Sequence, residues 1–122
     1  MIGLAPAIMH EMSIAASMLE AVRAESARYD AHVLAVGVKI GELSGVDSDS
    51  LRFCFDALVQ DTDLAPLALE IELLPWRNRC RRCARDFTVQ DYQTECPQCG
   101  SAETDLASGR ELEFAYMEIE NT

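Results

Sequence analysis

The chain has 122 residues, a formal net charge of −11 and five cysteines, with 49% of its residues apolar. That length makes one ordinary domain, or a small one carrying a metal-stapled lobe, and no apolar run is long enough to span a membrane. The acidic balance argues against nucleic acid as the main partner, because phosphate binding depends on neutralising cations.

Met1 to Ile8 (MIGLAPAI) is short and apolar, contains Gly3 and Pro6, and lacks the charged n-region and the length of a signal peptide. Residues 1–8 read as a disordered leader. From Glu11 to about Tyr29 the spacing predicts a helix: Ile14, Ala15, Met18, Leu19, Val22 and Ser26 recur at three and four, and Glu20, Arg23, Glu25 and Arg28 decorate the other face. His10 stands at its entrance. A lone His there is ordinarily a solvated side chain, with metal binding the sharper alternative.

Val33 to Ile40 is rich in β-branched residues and reads as a strand with Leu34, Val36, Val38 and Ile40 on one face. Gly41-Glu42-Leu43-Ser44-Gly45 breaks it. Asp47 is a good N-cap for a second helix whose apolar stripe is Leu51, Cys54, Phe55 and Leu58, ending near Gln60. Cys54 reads as a small core residue, a reactive thiol being the alternative. A polar turn from Asp61 to Pro66 precedes a half-exposed strand (Leu67, Leu69, Ile71 and Leu73) that stops at Pro75. Beyond the cysteines, Ser108-Gly109 is a turn. Glu111 to Glu120 then alternates as Leu112 and Phe114, then as Met117 and Ile119, and the slip of phase near Ala115 and Tyr116 suggests a bulge.

Between these strands, Cys80-Arg81-Arg82-Cys83 and Cys96-Pro97-Gln98-Cys99 face each other across twelve residues. Four soft thiolates and no His suit a tetrahedral Zn2+ closed on all sides, a structural site. Pro97 and Gly100 are placed to shape the second turn, and Phe87-Thr88-Val89 has room only for a short strand. A disulfide framework fits an even cysteine set in a small secreted chain, and this chain has five. A redox C-x2-C would follow a strand and open a helix, without a matching second pair. Iron uses the same four thiolates, so ligand type leaves it open. Reduced thiols in a metal site indicate the cytoplasm.

The fold expected is α/β in the α+β sense: two helices on a three-stranded mixed β-sheet, with an inserted zinc-ribbon lobe. Residues 9–75 plus 108–122 form the α/β domain, and 76–107 the zinc-binding domain. Five of the ten basic residues (Arg77, Arg79, Arg81, Arg82 and Arg85) surround the first cysteine pair. They make a charged, solvated knuckle or, in an alternative function, a zinc-ribbon module for protein interaction or nucleic-acid binding.

Met9-His10-Glu11-Met12-Ser13-Ile14-Ala15, Gly41-Glu42-Leu43-Ser44-Gly45-Val46-Asp47, the paired C-x2-C knuckles and Ser108-Gly109-Arg110-Glu111-Leu112 closely resemble the HypA/HybF family of nickel metallochaperones for hydrogenase maturation. The resemblance runs from Met9 almost to the C-terminus. It implies Ni2+ as a transient cargo at His10, helped by Met9 and Glu11, and a structural Zn2+ at Cys80, Cys83, Cys96 and Cys99. Asp47, at the matching end of the GELSGVD stretch, is by resemblance a further nickel ligand, besides its reading as a helix cap. The partners implied are a GTPase nickel-insertion accessory protein and a hydrogenase large-subunit precursor, with a second copy of the chain as another candidate. Nothing resembles a nucleophile with its base, a phosphate loop or a paired-carboxylate site, so the chain reads as a non-enzyme.

Ni2+ with nitrogen donors favours a square plane, and a free N-terminal X-His offers an amine, an amide nitrogen and an imidazole in fused chelate rings. Glu11 can complete the plane with its own amide nitrogen. The family's motif begins the protein, whereas here Met9 follows eight residues. A start at Met9 restores the amine donor; with a start at Met1 that donor is lost or is replaced by another amide or a carboxylate.

Overall fold

The computed structural model describes the backbone of residues 4–120 and the side chains of residues 10–120. The elements in chain order are α1 (Leu4–Tyr29), β1 (His32–Gly41), α2 (Ser48–Val59), β2 (Ala68–Leu74), β3 (Arg77–Cys80), β4 (Asp86–Thr88), β5 (Thr104–Ser108) and β6 (Leu112–Glu120). They form two three-stranded sheets, ordered β2-β1-β6 and β4-β3-β5. In the first, the Gly41 N–H donates to the carbonyl of Glu111 at 2.8 Å and the Glu42 N–H to that of Leu74 at 2.9 Å. The end of β1 thus meets the end of β2 and the beginning of β6, so β2 runs parallel to β1 and β6 antiparallel, the mixed sheet expected.

The first helix is longer than its sequence pattern suggests. Residues 4–8, expected in a disordered leader, are helical, and residues 1–3 lie outside the described residues. Pro6 stands in the first turn, where a missing N–H sacrifices no intrahelical bond. No helix among the described residues is long and apolar enough to cross a membrane.

The chain divides into two compact units: Met1–Val38 with Val46–Glu72 and Glu113–Thr122, and Lys39–Gly45 with Leu73–Leu112. The second takes in the GELSG stretch as well as residues 76–107. In the first unit Ala15, Met18 and Val22 of α1 and Leu51, Cys54 and Phe55 of α2 are fully buried, with Val36 and Val38 of β1 at 0% and 1% exposure. Val59 is buried in place of the expected Leu58, one step further round α2. Leu34, expected inside, is 43% exposed, while Val33 and Ala35 are buried. A central strand is covered on both faces over its middle, which blurs the alternation that a half-buried strand would show. One cover is the ring of Tyr116, which lies against Gly37 so closely that a Cβ there would sit 2.2 Å from it. The Tyr116 hydroxyl continues to the Glu70 carboxylate.

Candidate metal centre

The second unit is built around two turns of the same shape. In the first, the Ala84 N–H donates to the Cys80 carbonyl (2.9 Å) and the Cys80 N–H to the Arg85 carbonyl (2.9 Å). In the second, Gly100 donates to Cys96 (2.8 Å) and Cys96 to Ser101 (2.9 Å). Ala84 and Gly100 hold the same place and both are left-handed, with φ of 63° and 77°. The repeat of C-x2-C in the sequence is a repeat of backbone geometry.

Each turn aims amides at sulfur. The Arg82 N–H lies 3.4 Å from the Cys80 sulfur. All four sulfurs lie within 4.8 Å of one another. The Cys80 and Cys99 sulfurs are 3.6 Å apart, and those of Cys83 and Cys96 3.7 Å. Four sulfurs at ~2.3 Å from a tetrahedral zinc would be ~3.8 Å apart, so the cluster has the size that ion requires. It is far too wide for a disulfide, which needs ~2.05 Å, and none of the five cysteines forms one. The redox reading also fails, because Cys96 opens a turn and not a helix.

Protons are held unequally by Cys80, Cys96 and Cys99. The backbone N–H of Cys99, joined by that of Gln98, holds Cys96 down at about 6, against the effect of burial. Cys80 is lowered by the N–H groups of Cys83 and Arg82. Cys99 receives the Ser101 N–H, yet burial and the neighbouring thiols push it up to about 11. Packed this closely, the sulfurs ionise together only around a cation, so metal uptake releases protons.

The surrounding frame is local. The strands β3, β4 and β5 pair antiparallel, Arg77 to Cys80 lying against Thr88 to Asp86 on one side and Ser108 to Thr104 on the other. Of these strands only the one at Phe87 was expected, because Arg77-Asn78-Arg79-Cys80 carries no alternating apolar pattern. Asn78, 5% exposed, accepts from the Trp76 indole N–H (2.9 Å) and donates to the Thr104 hydroxyl (3.1 Å), which donates to the Thr94 carbonyl (2.7 Å). The two glycine stretches at the edge of the unit meet each other. Leu43 donates to the Gly109 carbonyl, and a Cβ on Gly41 would fall 2.1 Å from that oxygen. The Trp76 N–H donates to the Glu42 carboxylate (3.0 Å). Sequence reasoning missed Trp76 and Asn78 and gave Glu42 no contact of its own, although a single tryptophan four residues before Cys80 was a visible signal.

In the first unit the expected nickel residues fall on two elements. His10 is exposed on α1; Met9 is helical in backbone, its side chain outside the described residues. Glu11 is 2% exposed and accepts the Asp47 N–H at 2.8 Å. Asp47 is the N-cap of α2: its carboxylate accepts the Asp49 N–H (3.3 Å) and the Ser50 hydroxyl (2.7 Å). Among the described residues the four cysteines are the group of His, Cys, Asp and Glu side chains that converges on one point; His10, Glu11 and Asp47 do not form a second.

The sequence profile described as "Hydrogenase/urease nickel incorporation, metallochaperone, hypA" matches residues 9–119. Hydrogenase maturation factor HypA of Geobacter metallireducens is 42% identical over 112 residues, 92% of this chain and 100% of the relative. That of Streptomyces avermitilis is 40% identical over 116 residues, 93% of this chain and 88% of the relative. The fold is shared with a solution structure of HypA protein (TM-score 0.66, 24% identity, 92% of this chain and 97% of the other). It is shared as well with the Ni metallochaperone HypA from Helicobacter pylori (TM-score 0.57, 21% identity, 89% and 96%). With a profile that spans nearly the whole chain and relatives covered almost end to end, the chain belongs to the HypA family of hydrogenase/urease nickel-incorporation metallochaperones.

Proposed function

We propose that this protein binds Ni2+ as a transient cargo at the His10 segment and hands it to a hydrogenase large-subunit precursor, while Zn2+ at Cys80, Cys83, Cys96 and Cys99 fixes the second unit. As a member of the family the chain is a metallochaperone and maturation factor, not an enzyme. The supporting observation is the exposure of the His10 imidazole beside a buried neighbour, Glu11. An exposed site on the first turns of a helix can be approached by a recipient's ligands, which suits transfer. A GTPase nickel-insertion protein is the partner this reading takes, in the cytoplasm, where the four thiols stay reduced.

The helix bears on how His10 binds. In α1 as it begins at Leu4, the amides of His10 and Glu11 lie beyond the first four residues and are committed to carbonyls one turn earlier. In a chain beginning at Met9 they belong to the first turn, where N–H groups have no helical partner and are free to give up a proton to nickel. Met9 would then add its amine, and the plane of nitrogens would close.

The basic-module reading draws less support. Arg79 and Arg81 pair with Asp86 and Asp105, and Arg77 donates to the Thr88 hydroxyl, so much of the arginine cluster is engaged inside its own unit.

Calorimetric titration with Ni2+ of protein beginning at Met9, protein beginning at Met1 and the His10→Ala variant tests the proposal. The expected order of affinity is the order just given, with zinc content equal in all three. Equal affinities would remove nickel from the N-terminal segment.

A further inference from the structure

The buried neighbour of His10 is a carboxylate where the helix pattern calls for an apolar side chain. Glu11 stands four residues before Ala15, seven before Met18 and eleven before Val22, on the stripe that these residues bury. Its Oε2 accepts the backbone N–H of Asp47 at 2.8 Å, and its Oε1 is buried without a hydrogen-bond partner. Asp47 is the N-cap of α2, so the carboxylate of one helix sits at the N-terminus of the other. The positive end of a helix dipole is a place where a buried negative charge is stabilised.

We infer that the Glu11 carboxylate is a positioning group for the His10 site, anchoring the first turns of α1 to the N-terminus of α2, and is not a nickel ligand through its oxygens. The inference rests on the reading of His10 as the nickel-binding residue. Side chains of adjacent helical residues diverge by about 100°, so burying Glu11 turns His10 outward. For Glu11 to coordinate an ion beside the exposed imidazole, its side chain would have to leave the interior and strip the Asp47 N–H of its acceptor. Held in place, it fixes the backbone one residue from the imidazole before the metal arrives, and the entropy of ordering that segment is not charged against binding. The anchor matters most in a chain beginning at Met9, where no earlier turn of helix steadies His10.

Two variants separate anchor from ligand. Glu11→Gln keeps an oxygen that accepts the Asp47 N–H and nearly the same volume, whereas Glu11→Ala removes both. In protein that keeps the metal of its cysteine unit but carries no nickel, amide exchange at Asp47 should quicken at least tenfold in Glu11→Ala and stay close to the parent in Glu11→Gln. On titration with Ni2+, Glu11→Ala should bind about tenfold more weakly, and Glu11→Gln should bind within about threefold of the parent with an unchanged nickel absorption spectrum. A Glu11→Gln variant that loses nickel as fully as Glu11→Ala, or changes the spectrum, would make the carboxylate oxygen a ligand and overturn the inference. Unchanged affinity in Glu11→Ala would overturn it too. The exchange measurement contains no nickel, so it reports on the anchor even if His10→Ala shows that nickel binds elsewhere.

Discussion

The core of the cysteine unit gathers Cys80, Phe87, Val89 and Cys96, with Trp76 packed against them, so two of its four buried members are metal-site sulfurs. The helical unit buries Met18, Val22, Val36, Leu51 and Phe55 completely. Apolar area can stabilise the second; the first has too little of it and needs a cross-link. One chain therefore fixes its backbone in two ways, and each way fails differently.

The largest expected break is chemical. Removing the metal with a chelator, or replacing Cys96 by Ser, should take away a metal term worth roughly 10 to 16 kcal/mol in small zinc domains. Amide resonances of Arg77 to Ser108 should collapse while those of α1 and α2 persist, and Cys54→Ser should leave the zinc content unchanged. An ordered cysteine unit free of metal, or joint unfolding of both units, would mean that the two units are not stabilised in different ways.

The opposite break is hydrophobic. Phe55 is fully buried, and Phe55→Ala should cost roughly 3 to 5 kcal/mol in denaturant unfolding without loss of zinc. A cost below about 1 kcal/mol would mean that α2 contributes little to its unit's core.

A smaller effect belongs to the N-cap. Asp47→Ala should cost about 1 kcal/mol, since two hydrogen bonds at the start of α2 end on that carboxylate. Asp47→Asn keeps an accepting oxygen and should lose much less. Parallel Ni2+ titration decides the carboxylate's other candidate role: a fall in affinity in Asp47→Asn, with the helix intact, would assign it to the metal.

The smallest effect sharpens the comparison within the cysteine unit. Ala84 and Gly100 share one place in the two turns, and nothing lies within 4 Å of a Cβ added at Gly100. Gly100→Ala should therefore cost only the backbone preference, about 1 kcal/mol, and Ala84→Gly should change stability by less than that, read as zinc retention against a competing chelator. A loss several times larger at Gly100 would mean that the turns are not equivalent.

How far the sequence could be read differs between the units. The cysteine pairs were legible because their spacing is itself the geometry: two residues between sulfurs make the turn, and two turns make the cage. Strands β3 and β5 were not, since the polar stretch Arg77 to Cys80 is held extended by its partners and the knuckle and not by its own apolar pattern. In the helical unit the 3.6-residue stripe predicted Ala15, Met18 and Val22 correctly, but nothing in a stripe of apolar residues announces that Glu11 continues it.

The sequence by itself determined the four thiolates, the two helices, the sheet strands around the lobe and the family motifs, because each is written in spacing along the chain. Only the tertiary structure decided that the Gly41 and Gly109 stretches lie against each other, and that Glu11 is buried while His10 is not. Those outcomes depend on which residues distant in sequence supply the missing hydrogen-bond partner. An amide at position 47 finds its acceptor at position 11, and no local pattern links the two.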